Sequence, residues 1–346
     1  MKNKLLIIGA YTKKPIYGGI RTDCLLIRNS FIYNVFNVME FDTSQKSNPA
    51  PKFFIRALLS INRLIRLFLV TMRNNPSVVI IFFSSGFSAI EKTLIAILYT
   101  RFSKKKVIML PRSGKWSSEL YKYPDWLRTF IFQSNIFWLC QGSRTHDAIL
   151  SCSDSVASRV AIIPPLISLP NSAPIDKSGK VVFVFAGWLE PNKGILNILS
   201  AISKLDGDFI FHIVGDGTLR SDVLDYCEQD DRVIFHGFIE RPDVLNLLCS
   251  SDCAVMSSYS EGFPNFLAES ISYGLGVISS DVGDIRGILS DINLYDINDN
   301  SALPRLMYKV INDESFLFKL KTYSHSVKSS FGIHNFDSQV KNFLGM

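Results

Sequence analysis

The 346-residue chain is 47% hydrophobic, 20% charged and 12% aromatic, enough apolar mass for two cores, which excludes a disordered or low-complexity protein. Its net charge of +6 is a difference between opposed halves: residues 1–170 hold 23 Lys and Arg against 8 Asp and Glu, residues 171–346 hold 14 against 23. The basic half is expected to face something anionic, nucleic acid or lipid, and six scattered cysteines without disulfide or zinc spacing point to a reducing cytoplasm.

At the N-terminus, Lys2 and Lys4 precede a short apolar run that closes on Gly9; without a full hydrophobic region or cleavage site it reads as a first strand, Lys4–Ile8, and not as a signal peptide. A further strand is expected over Phe31–Val38. Phe53–Asn74 interleaves Arg56, Arg63, Arg66 and Arg73 with Leu58, Leu59, Ile61, Leu64, Ile65, Leu67, Phe68 and Leu69, and Lys104-Lys105-Lys106 adds a basic run. Such a helix either lies on anionic lipid or packs on a core with a solvated basic face. The longest uncharged stretch, Asn74–Ile90, contains Pro76 and Gly86, and no segment reads as transmembrane. Strands are expected at Val78–Phe83, Val107–Leu110, Ile136–Cys140 and Val160–Ile163, before a punctuated stretch with Pro164-Pro165, Pro170, Pro174 and Ser178-Gly179. They resume at Val181–Ala186, Phe209–Val214, Val233–His236, Cys253–Met256 and Val277–Ser279. Strands alternating with helix-length segments predict α/β architecture with two doubly wound parallel sheets. The expected division is an N-terminal Rossmann-like domain over 1–165, a linker over 166–180 and a C-terminal one over 181–346, whose last helix is free to pack back on the first domain.

In open parallel sheets, ligands bind beyond the carboxyl ends of the strands. After the strand Val181–Ala186 comes Gly187-Trp188-Leu189-Glu190-Pro191-Asn192-Lys193-Gly194, opening the helical pattern Ile195–Ile202. Free N–H groups at a helix start and the charge of Lys193 suit a phosphate, although a surface lysine in a capping loop has the same sequence. A second constellation, Ser260-Glu261-Gly262-Phe263-Pro264-Asn265-Phe266-Leu267-Ala268-Glu269-Ser270, follows the strand Cys253–Met256. A helix opening there would aim the N–H groups of Asn265 and Phe266 at a diphosphate. Glu269, deeper in the helix and acceptor-only, suits the two hydroxyls of a ribose, and Glu261 nearer the tip suits sugar hydroxyls. Both are also what a helix dipole favours in any first turns.

Together these segments resemble the family 4 glycosyltransferases, whose phosphate loop reads roughly G-R-L-x-x-x-K-G and whose donor motif is E-x7-E. Glu261 to Glu269 matches the second in spacing and in the flanking Gly-Phe-Pro-Asn; Gly187, Leu189, Lys193 and Gly194 match the first. Val214-Gly215-Asp216-Gly217, His236-Gly237 and Gly274–Ser280 appear in family order, so the resemblance covers residues 181 to about 290. It implies a GT-B fold, two Rossmann-like domains facing across a cleft, and a retaining transfer of a hexosyl or N-acetylhexosaminyl group from a nucleotide sugar to a saccharide acceptor. In that picture Lys193 grips the diphosphate and Glu269 the ribose, while Glu261 contacts the transferred sugar, with Gly187, Gly262, Phe263, Asn265 and Phe266 completing the donor site. Trp188 departs from the family's Arg, and Arg286 is the substitute considered.

The N-terminal half matches less. Gly18-Gly19 stand where the family has a glycine pair beside phosphate and acceptor, and a plain loop reads the same way. The loop after Val107–Leu110 lacks the histidine of many relatives, so Arg112 is the third catalytic candidate beside Lys193 and Glu261. His146, His212 and His236 read as structural. No Asp-x-Asp follows a strand, and Asp206-Gly207-Asp208 reads as a turn, so neither a metal nor a cofactor beyond the donor is expected. The expected acceptor is polyprenyl-diphosphate-linked, in O-antigen or capsule synthesis, on an anionic membrane surface at the inner face of the cell membrane, with no nucleic acid as partner. Still open are a catalytically silent or nucleic-acid-binding GT-B-like protein and a sugar-nucleotide 2-epimerase of the same architecture, although nothing here resembles that enzyme's carboxylate and histidine set.

Overall fold

The computed structural model describes residues 2–11, 19–44, 53–102, 105–133, 135–167 and 179–346. They form two compact units, Met1–Ser168 with Gly332–Met346, and Leu169–Phe331. Leu166 and Ile167, which the sequence assigns to the linker, are buried in the core of the first unit.

The first unit holds six parallel strands: β1 (Lys4–Gly9), β2 (Asn37–Asp42), β3 (Val78–Phe83), β4 (Lys106–Pro111), β5 (Ile136–Cys140) and β6 (Val160–Ile162), in the order β2-β1-β3-β4-β5-β6. Both faces are covered, so the strands read as unbroken apolar runs: Leu6 and Ile8 point into one core, Leu5 and Ile7 into the other. The second core is closed by the helix Ile333–Leu344, which returns from the end of the chain to bury Phe336, Val340 and Phe343. Phe343 lies 4.9 Å, ring to ring, from Phe137.

Phe31–Val38 is not one strand. Ser30 caps a short helix, Phe31–Val35, by accepting from the Ile32 N–H at 3.1 Å, and the strand begins only at Asn37. As a mostly exposed edge strand, β2 has little apolar signal to mark it.

The helix Phe53–Asn74 turns part of its polar side inward, with Ser60 buried and Arg63 and Thr71 half-buried. Arg63 pairs with the carboxylate of Glu91, 3.0 Å away, and Thr71 bonds Tyr99, both on the neighbouring helix Phe87–Phe102. Leu67 and Val70 pack on the core, but Leu58, Ile61, Ile65, Phe68, Leu69 and Met72 point to solvent. A core helix with a solvated basic face accounts for Leu67, Val70, Arg66 and Arg73 but not for these six exposed large apolar residues.

The second unit holds β7 (Val181–Ala186), β8 (Phe209–Val214), β9 (Val233–Phe235), β10 (Cys253–Met256), β11 (Gly276–Ser280) and β12 (Leu294–Tyr295), all parallel, in the order β12-β11-β10-β7-β8-β9. From β7 the chain steps outward through β8 and β9, then returns with β10 on the other side of β7. That reversal makes β7 and β10 neighbours, and the point where strand order turns is where open α/β sheets bind ligands.

Candidate functional site

The loops after β7 and β10 meet backbone to backbone. Gly194 ends a short 3-10 turn, Pro191–Lys193, at φ +66°, and a Cβ there would lie 1.8 Å from the Ser257 carbonyl oxygen. Only glycine combines this left-handed conformation with that approach. Beside it the Tyr259 N–H donates to the Asn192 carbonyl at 2.8 Å. Gly283, after β11, is at φ +64° with its Cβ direction 2.3 Å from the Glu261 carbonyl oxygen, so three loops lean on one another at the carboxyl edge of the sheet.

This contact brings Lys193 and Glu261 together. Lys193 Nζ lies 2.6 Å from Glu261 Oε1, which also accepts from Ser258 Oγ at 2.8 Å. Residues 68 apart in sequence thus form one partly buried ion pair at the strand-order reversal.

The helix Asn265–Ser272 starts after Pro264, so its first N–H groups, those of Asn265 and Phe266, have no helical carbonyl ahead of them. Phe266 is buried toward Phe185, and Phe263 packs edge-on against Phe331. These two rings fix the start of the helix; Gly262 fixes the loop by accepting from the Asp284 N–H at 3.2 Å. Gly187 donates to the Val214 carbonyl at 3.0 Å, tying the start of the first loop to the end of β8.

Glu269 sits in the second turn, buried, with Oε1 2.7 Å from the Arg241 guanidinium. Burial pushes its carboxyl above the usual range, and Arg241 pulls it back only in part. The sequence gives no sign of Arg241: it lies 28 positions from Glu269, at the start of the helix Arg241–Ser250, and only the fold places the two side by side.

Other sequence candidates fall elsewhere. Arg112 is not cleft-facing: it forms a fully buried ion pair with Asp23 at 2.8 Å, and Asp23 also accepts from the Leu166 N–H, so the pair ties the helix Gly19–Leu26 to the segment after β6. The reason is its place at the end of a central strand, where an unpaired cation could not be buried. Arg286 is held by Asp281 and Asp291 of its own loop and is no free substitute for the Arg missing at Trp188. Gly19 opens the helix Gly19–Leu26, and Gly18 lies outside the described residues. His212 and His236 bond each other across β8 and β9 at 3.0 Å; burial lowers His212 to about 4, which keeps it neutral.

The stretch that holds these residues is similar to known proteins. The model of the family "Glycosyl transferases group 1" matches residues 171–327. The chain is 25% identical over 242 residues to the UDP-Gal:alpha-D-GlcNAc-diphosphoundecaprenol alpha-1,3-galactosyltransferase of Escherichia coli, covering 63% of this chain and 62% of that protein. Among solved structures, the apo form of the lipopolysaccharide outer core galactosyltransferase WaaB superposes with a TM-score of 0.70 at 18% identity, and HepE of Anabaena in complex with UDP with 0.72 at 13%. Both cover 99% of each chain. At these identities the structures speak for the fold, and it is that of GT-B proteins. The stretch that resembles the group 1 glycosyl transferases is therefore the one that carries Lys193, Glu261 and Glu269.

Proposed function

We propose that the chain is a retaining glycosyltransferase that moves a hexosyl or N-acetylhexosaminyl group from a nucleotide sugar to a lipid-linked saccharide in surface polysaccharide synthesis. The observation that carries this reading is the Lys193–Glu261 pair at the strand-order reversal, in front of a helix whose second turn holds Glu269. An incoming diphosphate takes the place of the Glu261 carboxylate on Lys193, and the released Glu261 turns to the hydroxyls of the sugar. Glu269 accepts from the ribose hydroxyls, with Arg241 beside it favouring the charged form. As the glycosidic bond breaks, the growing negative charge on the diphosphate is met by Lys193 and the first N–H groups of the helix Asn265–Ser272. These groups supply the charge a metal would otherwise bring, so turnover is expected to be unchanged by a chelator such as EDTA.

The acceptor class is supported by the galactosyltransferase relative, whose name specifies a diphosphoundecaprenol-linked substrate. An acceptor of this kind places the work at a membrane surface, which we assign to the cytoplasmic face, where nucleotide sugars are made.

Calorimetric titration with UDP and with UDP-hexoses tests the assignment. Glu269→Ala is expected to weaken both ligands about tenfold or more, since it removes charged hydrogen bonds to the ribose they share. Glu261→Ala is expected to weaken the intact sugar nucleotide while UDP alone binds as well as before or more tightly, because Lys193 has lost a competitor. If both variants bind both ligands like the wild type, the site lies elsewhere.

A further inference from the structure

We propose that the helices Phe53–Asn74 and Phe87–Phe102 form the face by which the protein docks on an anionic bilayer, lying in its plane with their outward apolar side chains inserted. This rests on the reading that the acceptor is membrane-bound, and it goes beyond that reading by naming the surface and the force.

The helix Phe53–Asn74 leaves most of its apolar stripe outside the core. Soluble helices bury their apolar stripe and wet their polar one. In Phe53–Asn74 the inward side carries Leu67 and Val70 beside the polar contacts of Arg63, Ser60 and Thr71, while Leu58, Ile61, Ile65, Phe68, Leu69 and Met72 are each more than half exposed. Their spacing of three and four puts them on one side. The neighbouring helix repeats the pattern with Ile90, Leu94 and Leu98, each at least half exposed. The Arg63–Glu91 and Thr71–Tyr99 contacts each join residues 28 apart, so the helices run parallel and side by side.

A second copy of the chain or a bilayer would cover such a face, and charge chooses between them. The two helices carry Arg56, Arg63, Arg66, Arg73, Lys92 and Arg101 against one carboxylate, Glu91, which Arg63 and Lys92 already share. A second copy would bring the same excess of like charge to the contact, whereas anionic headgroups compensate it. Arg56 and Arg66 lie against the rings of Phe87 and Phe41 within the same unit, which keeps their charge off the apolar side. No described helix is long and apolar enough to cross a membrane, so the helices lie in the interface. The sequence suggests electrostatic adhesion; the structure makes apolar insertion the larger contribution and the cations its supplement.

Vesicle flotation of the full chain tests this. Wild type is expected to float with phosphatidylcholine–phosphatidylglycerol vesicles, to float less with phosphatidylcholine alone, and to keep part of its binding at about 1 M salt, where charges are screened beyond a few ångströms. Leu58→Asp/Phe68→Asp and Ile90→Asp/Leu94→Asp are each expected to lower binding to mixed vesicles about tenfold or more, with an unchanged melting temperature, since these side chains are already in water. Wild type that does not float, or double variants that float equally well, overturn the proposal. So does a dimer, seen by analytical ultracentrifugation, that the same variants dissociate without any vesicle binding. UDP titration is read separately: a chain that floats through this face but binds no nucleotide keeps the docking proposal and loses the donor site.

Discussion

Lys193→Ala is expected to lower kcat on the order of 10²-fold or more while changing the Kd for UDP far less. The structure explains the split. The lysine is paired with Glu261 at 2.6 Å, so binding the diphosphate exchanges one anionic partner for another and gains little in the ground state. The gain comes later, when negative charge builds on the leaving diphosphate and Lys193 is the side chain positioned to meet it. Removing it also leaves the partly buried Glu261 carboxylate with the Ser258 hydroxyl but without its cation, close to where the charge builds. Steady-state kinetics with a UDP-hexose, alongside UDP calorimetry on the same protein, check the point. A variant whose loss falls wholly on Kd, with kcat intact, would show that Lys193 serves binding and not the reaction.

Gly194→Ala is expected to cost about 3 kcal/mol or more and to abolish UDP binding. A left-handed conformation costs an L residue roughly 1–2 kcal/mol. The remainder comes from a methyl group that would sit 1.8 Å from the Ser257 carbonyl oxygen, which cannot be met without parting the two loops that hold Lys193 and Glu261. Gly86→Ala separates the two contributions, because Gly86 has nearly the same φ, +64°, and no atom within 4 Å of its Cβ direction. Thermal melts should show a drop for Gly194→Ala at least twice that for Gly86→Ala. Equal drops with UDP binding retained would mean that the loops part at little cost.

Much of the fold is visible in the sequence because both sheets are covered on both sides. Runs such as Val78–Phe83 and Val181–Ala186 announce buried parallel strands without structural help. The edge strands escape for the converse reason: β2 is half wet, and β12 is two residues long. At the candidate site, the sequence shows what local spacing can show, namely a glycine-lysine loop and two glutamates eight apart. It cannot show which groups they meet. Arg241 reaches Glu269, and Lys193 reaches Glu261, only because the chain reverses its strand order between β9 and β10. Arg112 misleads for a related reason. Cation and loop position read alike for a cleft residue and for the inner half of a buried pair, and its partner Asp23 is 89 positions away. The helix Phe53–Asn74 is legible as amphipathic, but periodicity does not say which side faces in.

The return of the helix Ile333–Leu344 to the first unit sets an order of events during synthesis. As the chain leaves the ribosome, the six strands of the first sheet are complete by residue 162, yet the apolar surface around Leu5, Ile7, Ile80 and Ile108 stays open until Phe336, Val340 and Phe343 arrive. The second unit, Leu169–Phe331, is by then fully made. The half that is translated first is therefore the half whose core closes last.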